Sequence, residues 1–247
     1  MCVAAFAWDA HPRWRLVAAA NRDEYHDRPA APLQVWQDGS GIIAGRDLRS
    51  GGTWLGVHPQ GRCVLVTNYR VPGYPQPGRP SRGGLVTALL GAAGAIGPDP
   101  LRIATAQYNP FNLFCANIDS AHILTNQPAD IRLAVSPGVH GLSNGGYDDP
   151  WPKTVQLRRA VADWLASGAD DVSALFPALA DATPLAATAN EGPSPEARFS
   201  SVFNRDPIYG TRCSTVVAID RDGRGTIIER SFDTAGDPNG EVAIDFG

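Results

Sequence analysis

Cys2 is the residue of this sequence with the most distinctive chemistry, because it directly follows the initiator methionine. Its small side chain ordinarily permits removal of Met1, which would leave a thiol and a free α-amine on the same residue. Their reference pKa values are about 8.5 and about 7.7 to 8.0, so the amine can act as base for the thiol near neutral pH. The alternative is that Cys2 opens a buried strand as a small hydrophobic residue.

The overall composition is that of a soluble globular protein. The 247 residues are 19% charged and 43% hydrophobic, with a net charge of -4, and no break in composition suggests a second domain. We therefore expect one domain over residues 1–247. The mild acidic excess and the scattered arginines argue against a nucleic-acid partner, and no apolar run approaches the roughly 20 residues of a membrane span. The oligomeric state stays open.

The cysteines and histidines give no sign of a metal centre. Cys2, Cys63, Cys115 and Cys213 form no CxxC pair, and the five histidines lack a ligand spacing such as HExxH. We expect no metal and no cofactor. The first apolar run has no basic region ahead of it and is soon followed by charged residues, unlike a signal peptide, so we expect a cytoplasmic location with reduced thiols.

The elements around Cys2 form a predicted β-hairpin. Residues 2–8 and 15–21 are rich in alanine, valine and aromatic residues, and turn-forming residues 9–12 separate them. If the second strand continues to Asp23, alternation places Asn21 and Asp23 on one face and Arg22 on the other. Cys2 would then stand at the end of a strand.

The rest of the chain alternates between groups of strands and groups of helices, which predicts an α+β fold with helices outside paired sheets. Further strands are predicted at 42–45, 53–58, 63–68, 112–118, 121–126, 131–135, 139–144, 212–219, 225–231 and 241–246. Helices are predicted at 85–95, 100–107, 151–166 and 170–181. Loops are expected at 27–32, 69–80 and 183–200; 69–80 and 193–206 are candidate pocket walls, and 69–80 is also a candidate lid.

Several single residues refine this outline. Ser81 is a candidate N-cap for the first helix, and Pro177 is expected to break the last one. Gly51 and Gly52 predict a backbone that turns or packs closely. The helix at 151–166 is expected to bury one apolar face, formed by Val155, Leu157, Val161, Trp164 and Leu165.

Six motifs occur in the same order as in a known protein family. They are NRDE (21–24), GGTWLG (51–56), TNYR (67–70), NPFNL (109–113), GLSN (141–144) followed by WPK (151–153), and YGTR (209–212) followed by Ser214-Thr215. With them the sequence resembles, along nearly its whole length, the NRDE family, also called the Transport and Golgi Organization 2 family. That family is similar to N-terminal nucleophile (Ntn) hydrolases. The resemblance therefore implies a four-layer αββα sandwich whose nucleophile begins the first strand.

Within the Ntn hydrolases the resemblance is to the cysteine branch of choloylglycine hydrolases and penicillin acylases, which cleave linear amides. It implies Cys2 as nucleophile and Asp23 as the residue that holds its amine. It also implies Asn68 and Asn144 as oxyanion-hole donors, and Arg212 as the cation that lowers the thiol pKa. Strand-end asparagines also commonly satisfy turn backbones, so a purely structural part for both stays open.

The sequence departs from that branch at one position. The choloylglycine branch has an arginine three residues before the aspartate, where this chain has Ala20. Alternation predicts that Arg22 faces away from the site, which would leave activation of the thiol to Arg212. The motif residues Asn21, Arg22, Tyr69 and Arg70 are candidates for substrate binding.

Two functions of different classes are compatible with this sequence. The first is a cysteine Ntn hydrolase that cleaves an amide or thioester of an acyl compound after removal of Met1. The second is a non-catalytic carrier or chaperone for a hydrophobic ligand, since the resemblance implies links to haem or acyl-coenzyme A handling. The chain has no CP dipeptide and no histidine pair with haem-binding spacing, so the sequence itself does not favour haem.

Overall fold

Two antiparallel sheets form the centre of the computed structural model, which describes residues 2–91, 103–185 and 200–247. The first sheet contains, in spatial order, β10 (Gly138–Leu142), β1 (Cys2–Trp8), β2 (Trp14–Tyr25), β11 (Tyr209–Asp220), β12 (Gly225–Phe232) and β13 (Pro238–Phe246). The second contains, in chain order, β3 (Ala30–Val35), β4 (Ile43–Asp47), β5 (Leu55–His58), β6 (Arg62–Asn68), β7 (Phe111–Ala116), β8 (Ala121–Thr125) and β9 (Ile131–Ala134). The predicted hairpin of β1 and β2 is confirmed.

Helices cover the outer face of each sheet. α1 (Gly83–Leu90) packs on β5 and β6, while α2 (Pro152–Ala166) and the short α3 (Phe176–Leu179) pack on the first sheet. Three apolar cores separate the resulting layers, one between the sheets and one under each helical layer. The αββα sandwich implied by the family resemblance is therefore confirmed. None of the helices in the described parts of the chain is long and apolar enough to cross a membrane.

Alternation along β1 decides what each of its side chains touches. Ala4, Phe6 and Trp8 face the core between the sheets, whereas Val3, Ala5 and Ala7 face the helices. Phe6 meets Phe114 of the second sheet, with 4.2 Å between ring centroids. Because Cys2 has the same parity as Phe6, its side chain emerges on the side of the first sheet that faces the second.

The glycine pair ahead of β5, Gly51 and Gly52, shows both the turn and the close packing that the sequence predicts. Gly51 has a φ of 77°, in the left-handed region. A Cβ on Gly52 would lie 2.6 Å from the carbonyl carbon of Gly83, so only glycine lets this loop touch the start of α1. The pair thereby seats α1 against the second sheet.

Several predicted boundaries are wrong. The 27–32 stretch contains the start of β3, an edge strand whose pairing with β4 shifts register between Ala31 and Gln34. Arg82 stands at the N-cap of α1 in place of Ser81. In the predicted second helix the described part forms only a 3-10 turn, Thr105–Gln107. Residues 92–102 and 186–199 lie outside the described residues, as do the corresponding parts of the predicted helices and of the 183–200 loop.

The faces of the later helices also differ from the sequence pattern. Val155 is 40% exposed, whereas Lys153 and Thr154 are buried, so α2 turns a polar first turn toward the sheet. Pro177 does not break a helix; it lies in the first turn of α3, where a missing N–H costs nothing. A 3-10 turn, Val172–Leu175, precedes it.

Candidate active site

The backbone of Cys2 is fixed by the loop that follows β10. Its N–H donates to Oδ1 of Asn144 at 3.1 Å, and its carbonyl accepts from Oγ of Ser143 at 2.8 Å. The Cys2 side chain is 8% exposed and lines a cleft between the ends of the two sheets. The first residue of β1 is thus held in place, with its thiol toward the cleft.

Asn68 and Asn144 join the two sheets at this point. Nδ2 of Asn144 donates to the backbone carbonyl of Asn68 at 2.7 Å, and the Arg70 N–H donates to the carbonyl of Asn144 at 2.7 Å. The side chain of Asn68 is exposed, lines the cleft and has no hydrogen-bond partner among the described residues. The free amide donor of the pair therefore belongs to Asn68, while Asn144 spans from Cys2 to β6.

Asp23 lies on the helical side of β2 and is almost fully buried. Its carboxylate accepts from Oγ1 of Thr211 at 2.8 Å and from Nδ2 of Asn204 at 2.7 Å. Burial raises the pKa of this carboxyl, and the charge of Lys153 and the two hydrogen bonds counteract the rise. Asp23 also lines the cleft beside Cys2.

Asn21 shares the face of Asp23, as alternation predicts, but it does not reach the cleft. Its Nδ2 donates to the carbonyls of Leu179 and Val202, and its Oδ1 accepts from Oγ of Ser214. The side chain is fully buried. This arrangement ties α3 to the first sheet and corrects the expectation that Asn21 contacts a substrate.

Arg22 points toward the same side of the first sheet as the Cys2 thiol, which corrects the prediction that it faces away from the site. Cys2 is its direct partner in the β1–β2 register, so both side chains emerge on the same face. Burial raises the pKa of the Cys2 thiol, the Asp23 charge adds to the rise, and the Asp23 N–H and the Arg22 charge lower it; the net shift is upward. Arg22 itself lies 3.7 Å from Asp47 and 3.8 Å from Glu24.

Arg212 lies directly before Cys213 in β11. It is the extra residue of a bulge in β11, between Thr211 and Cys213. Its Nη1 donates to the carbonyls of Tyr25 and His26, at 3.2 and 3.0 Å. It lines the cleft, where it can meet a ligand.

The cleft has a volume of about 720 Å³ and a dense lining of charged side chains. A neighbouring cavity of about 490 Å³ shares Asn68 and Arg82 with it and is lined by Tyr69, Arg70 and Tyr74. The 69–80 segment contributes to both, as predicted, and Asp206 from the other predicted wall lines the second cavity. Seven arginines line the larger cleft: Arg22, Arg28, Arg46, Arg49, Arg79, Arg82 and Arg212.

Two buried ionisable residues near the site were missed by the sequence reasoning. Glu229 of β12 lines the cleft, accepts from the Leu33 N–H at 2.8 Å and has a pKa raised by burial. The available signal was its place in β12 directly after Ile227 and Ile228. Lys153 is fully buried behind the sheet, and its place in the WPK motif was the signal there.

Comparison with known proteins assigns the family. The family model for Transport and Golgi organisation 2 matches residues 1–234. The chain belongs to this family. It is 31% identical to the bovine Transport and Golgi organization protein 2 homolog, over 94% of this chain and 93% of that protein. Its identity to the Drosophila melanogaster protein of that name is 27%, over 98% and 95% of the two chains.

Solved structures extend the comparison to the fold. A conjugated bile acid hydrolase from Clostridium perfringens, solved as a C2A mutant, aligns with a TM-score of 0.56 at 8% identity, over 98% of this chain and 92% of that one. The Caenorhabditis elegans ortholog of N-acylethanolamine-hydrolyzing acid amidase aligns with a TM-score of 0.51 at 9% identity, over 90% and 93%. This member of the Transport and Golgi organisation 2 family therefore has an Ntn-hydrolase fold.

Proposed function

We propose that this protein is a cysteine Ntn hydrolase that cleaves a linear amide or thioester of an acyl compound, with Cys2 as nucleophile after removal of Met1. The observation that carries the proposal is the placement of Cys2. It begins the first strand, its nitrogen is held by Asn144, and its thiol side opens to the cleft. The bile acid hydrolase and the acid amidase, both named for hydrolysis, support the same assignment through their shared fold.

The proposed reaction begins when Sγ of Cys2 attacks the acyl carbonyl carbon and the thiol proton passes to the α-amine of the same residue. Asn68 stabilises the oxyanion, because its amide is the unengaged donor beside Cys2. Collapse breaks the C–N or C–S bond, the ammonium protonates the leaving group, and a thioester remains on Cys2. A water molecule, deprotonated by the amine, then releases the acid.

The proposal is tested by turnover of N-acyl amides and acyl thioesters with acyl chains from acetyl to palmitoyl. Cys2→Ala abolishes hydrolysis and Cys2→Ser weakens it strongly. The matched control is Cys213→Ala, which removes the other thiol that lines the cleft and leaves turnover intact. Undiminished hydrolysis in Cys2→Ala would overturn the assignment.

A second candidate function is favoured by the state of the Cys2 thiol. While Met1 is attached, the nitrogen of Cys2 is an amide, and burial raises the thiol pKa, so the thiol is a poor nucleophile. In that state the cleft and the aromatic cavity beside it suit a non-catalytic carrier for a hydrophobic or amphipathic ligand, such as haem or acyl-coenzyme A. Titration with each, followed by absorbance or thermal unfolding, tests this function. A carrier binds equally well in Cys2→Ala, whereas unchanged spectra and unfolding temperature would contradict it.

A further inference from the structure

The chain contains a single lysine among its 21 basic residues, and that lysine is buried. An arginine side chain stays protonated in proteins, whereas a lysine can lose its proton when buried. Twenty positions on this chain thus carry a permanent positive charge, and Lys153 is the one basic side chain of the aliphatic-amine type. Whether Lys153 can take part in proton transfer depends on where its amine lies.

Lys153 lies against the first sheet near the start of β1. It is the second residue of α2, and the buried residues Leu157, Val161 and Trp164 continue its face along the helix. Leu157 and its neighbours pack on the helical face of β1. Because α2 follows the loop that carries Asn144, its first turn lies at the edge of the sheet where β1 begins.

The ammonium group of Lys153 has no hydrogen-bond partner within the described residues, although the side chain is fully buried. An uncompensated ammonium at such a site is strongly unfavourable. Burial lowers the Lys153 pKa, Arg70 lowers it further, and the charges of Asp23 and Cys2 raise it; the net shift is downward. Asp23 follows the residue of β2 that pairs with Cys2 and lies on the helical side of the sheet, so its buried carboxylate stands beside the start of β1 and is the one that can compensate Lys153.

We propose that Lys153 is a positioning residue that acts through Asp23. The Nζ of Lys153 and the α-amine of mature Cys2 share this one buried carboxylate and hold a single proton between them. In the resting enzyme the proton resides on Lys153, so the α-amine stays neutral. During attack the S–H bond breaks and an N–H bond forms on the α-amine. This inference rests on the proposed function, because the α-amine exists only after Met1 has left.

The protonation of the α-amine can be measured because the chain has few other primary amines. A chain with one lysine has only two primary amines, the α-amine and Nζ. Acylation by trace acetic anhydride requires a neutral amine, so its rate at each pH reports the protonation of the α-amine. The measurement is made in a Cys2→Ala background, which removes the competing thiol and needs no turnover. The N-terminal peptide is quantified by mass spectrometry.

Lys153→Met removes the second amine and keeps an unbranched side chain that is one heavy atom shorter. The α-amine then pairs with Asp23 alone and remains protonated to higher pH, so its acylation rate at neutral pH falls about tenfold, the effect of one pKa unit. Lys153→Arg keeps a cation and holds the rate within about twofold of the Cys2→Ala parent. Asp23→Asn shifts the profile in the opposite direction, because the α-amine loses its carboxylate.

The outcomes separate this inference from the proposed function. An N-terminal peptide that still includes Met1 would contradict both the inference and the proposed function. A mature N-terminus with an unchanged acylation profile in folded Lys153→Met overturns the inference and leaves the hydrolase proposal standing. If Lys153→Met does not fold, the Lys153→Arg and Asp23→Asn profiles decide: equal profiles for the parent and Asp23→Asn overturn the inference. In the active enzyme, the acid limb of kcat/KM against pH moves with the acylation profile.

Discussion

Asn68 and Asn144 are both asparagines at strand ends, yet their side chains have different surroundings. Asn144 uses Oδ1 on the Cys2 nitrogen and Nδ2 on the Asn68 carbonyl, so it fixes backbones. The side chain of Asn68 is exposed to the cleft and has no partner in the described parts of the chain. We therefore propose Asn68 as the oxyanion donor and Asn144 as a positioning residue.

Asn68→Ala is expected to lower kcat by about 10²- to 10³-fold, the usual effect of removing one oxyanion donor. The unfolding free energy should change by less than about 0.5 kcal/mol, because the side chain makes no internal bond. The matched control is Asn126→Ala, whose amide bonds the backbones of Phe111, Thr105 and Tyr108. That variant should lose about 1 to 2 kcal/mol of stability and keep its kcat. Steady-state kinetics with urea unfolding measures both, and equal kinetic losses would refute the assignment.

Among single residues, the motifs identified most of the site, but not the side of the sheet on which the Cys2 thiol emerges. Cys2, Asp23, Asn68, Asn144 and Arg212 all line one of the two adjoining cavities. Alternation separated Arg22 from Asp23 correctly, yet the side of the sheet on which the thiol emerges depends on the β1–β2 register. That register pairs Cys2 with Arg22. The alternation pattern of one strand does not determine which residue of the next strand it pairs with.

Elements position the site through the loop between β10 and α2. His140, in β10, places Nδ1 2.9 Å from Asp148 and Nε2 2.9 Å from the carbonyl of Ser136, while Tyr147 of the loop contacts Nδ1 as well. Both ring nitrogens face acceptors, which suits the doubly protonated ring. Burial lowers the His140 pKa, but the bonds to Asp148 and Ser136 outweigh it, and the net shift is upward from 6.5. The charge of Arg158 lowers the His140 pKa slightly.

The sign of the His140 shift predicts how stability depends on pH. A folded pKa above the unfolded value contributes stability that is complete below pH 6.5 and is lost as pH rises through the folded pKa. His140→Gln should therefore destabilise the protein at about pH 5.5 more than at about pH 9, as urea unfolding at the two values would show. An equal loss at both values contradicts the assigned protonation.

The glycine contact between the GGTWLG loop and α1 gives a second prediction at this scale. Gly52→Ala places a Cβ against the backbone of Gly83 and should cost about 1 to 3 kcal/mol. Gly84 is the residue after Gly83 and lies in α1, where an added Cβ meets nothing within 4 Å. Gly84→Ala should therefore be neutral or stabilise the protein by about 0.5 to 1 kcal/mol. Thermal unfolding of the pair separates close packing from helix propensity. Similar effects for both would remove the packing explanation of the motif.

At the scale of the whole molecule, the hydrophobic pattern predicted an α+β fold with helices outside paired sheets, and the family resemblance made the αββα sandwich predictable. The exceptions are informative. β3 was missed because an edge strand with a register shift carries little alternation. The buried face of α2 was misjudged because Lys153 is polar by type but fully buried by position. Both depend on contacts between distant segments, which periodicity does not encode.

Contact between the two sheets should dominate global stability. Phe114→Ala removes the ring that meets Phe6 and should cost about 3 to 5 kcal/mol. Ile208→Ala, at a side chain that is 67% exposed, should change stability by less than about 0.5 kcal/mol. Urea unfolding monitored by fluorescence compares them, and similar losses would mean that the inter-sheet core is not the main stabilising contact.

The central claim is that Cys2 becomes a nucleophile when Met1 leaves. Intact-mass spectrometry of protein purified from cells, before and after a thiol-alkylating reagent, tests it most directly. We predict a mass that lacks Met1 and gains one alkyl group, since burial raises the pKa of Cys63 and Cys115 to about 12 and raises that of Cys213 well above its ordinary value. A mass that includes Met1 would contradict it, because the nitrogen of Cys2 would then be an amide, whose delocalised lone pair does not accept the thiol proton.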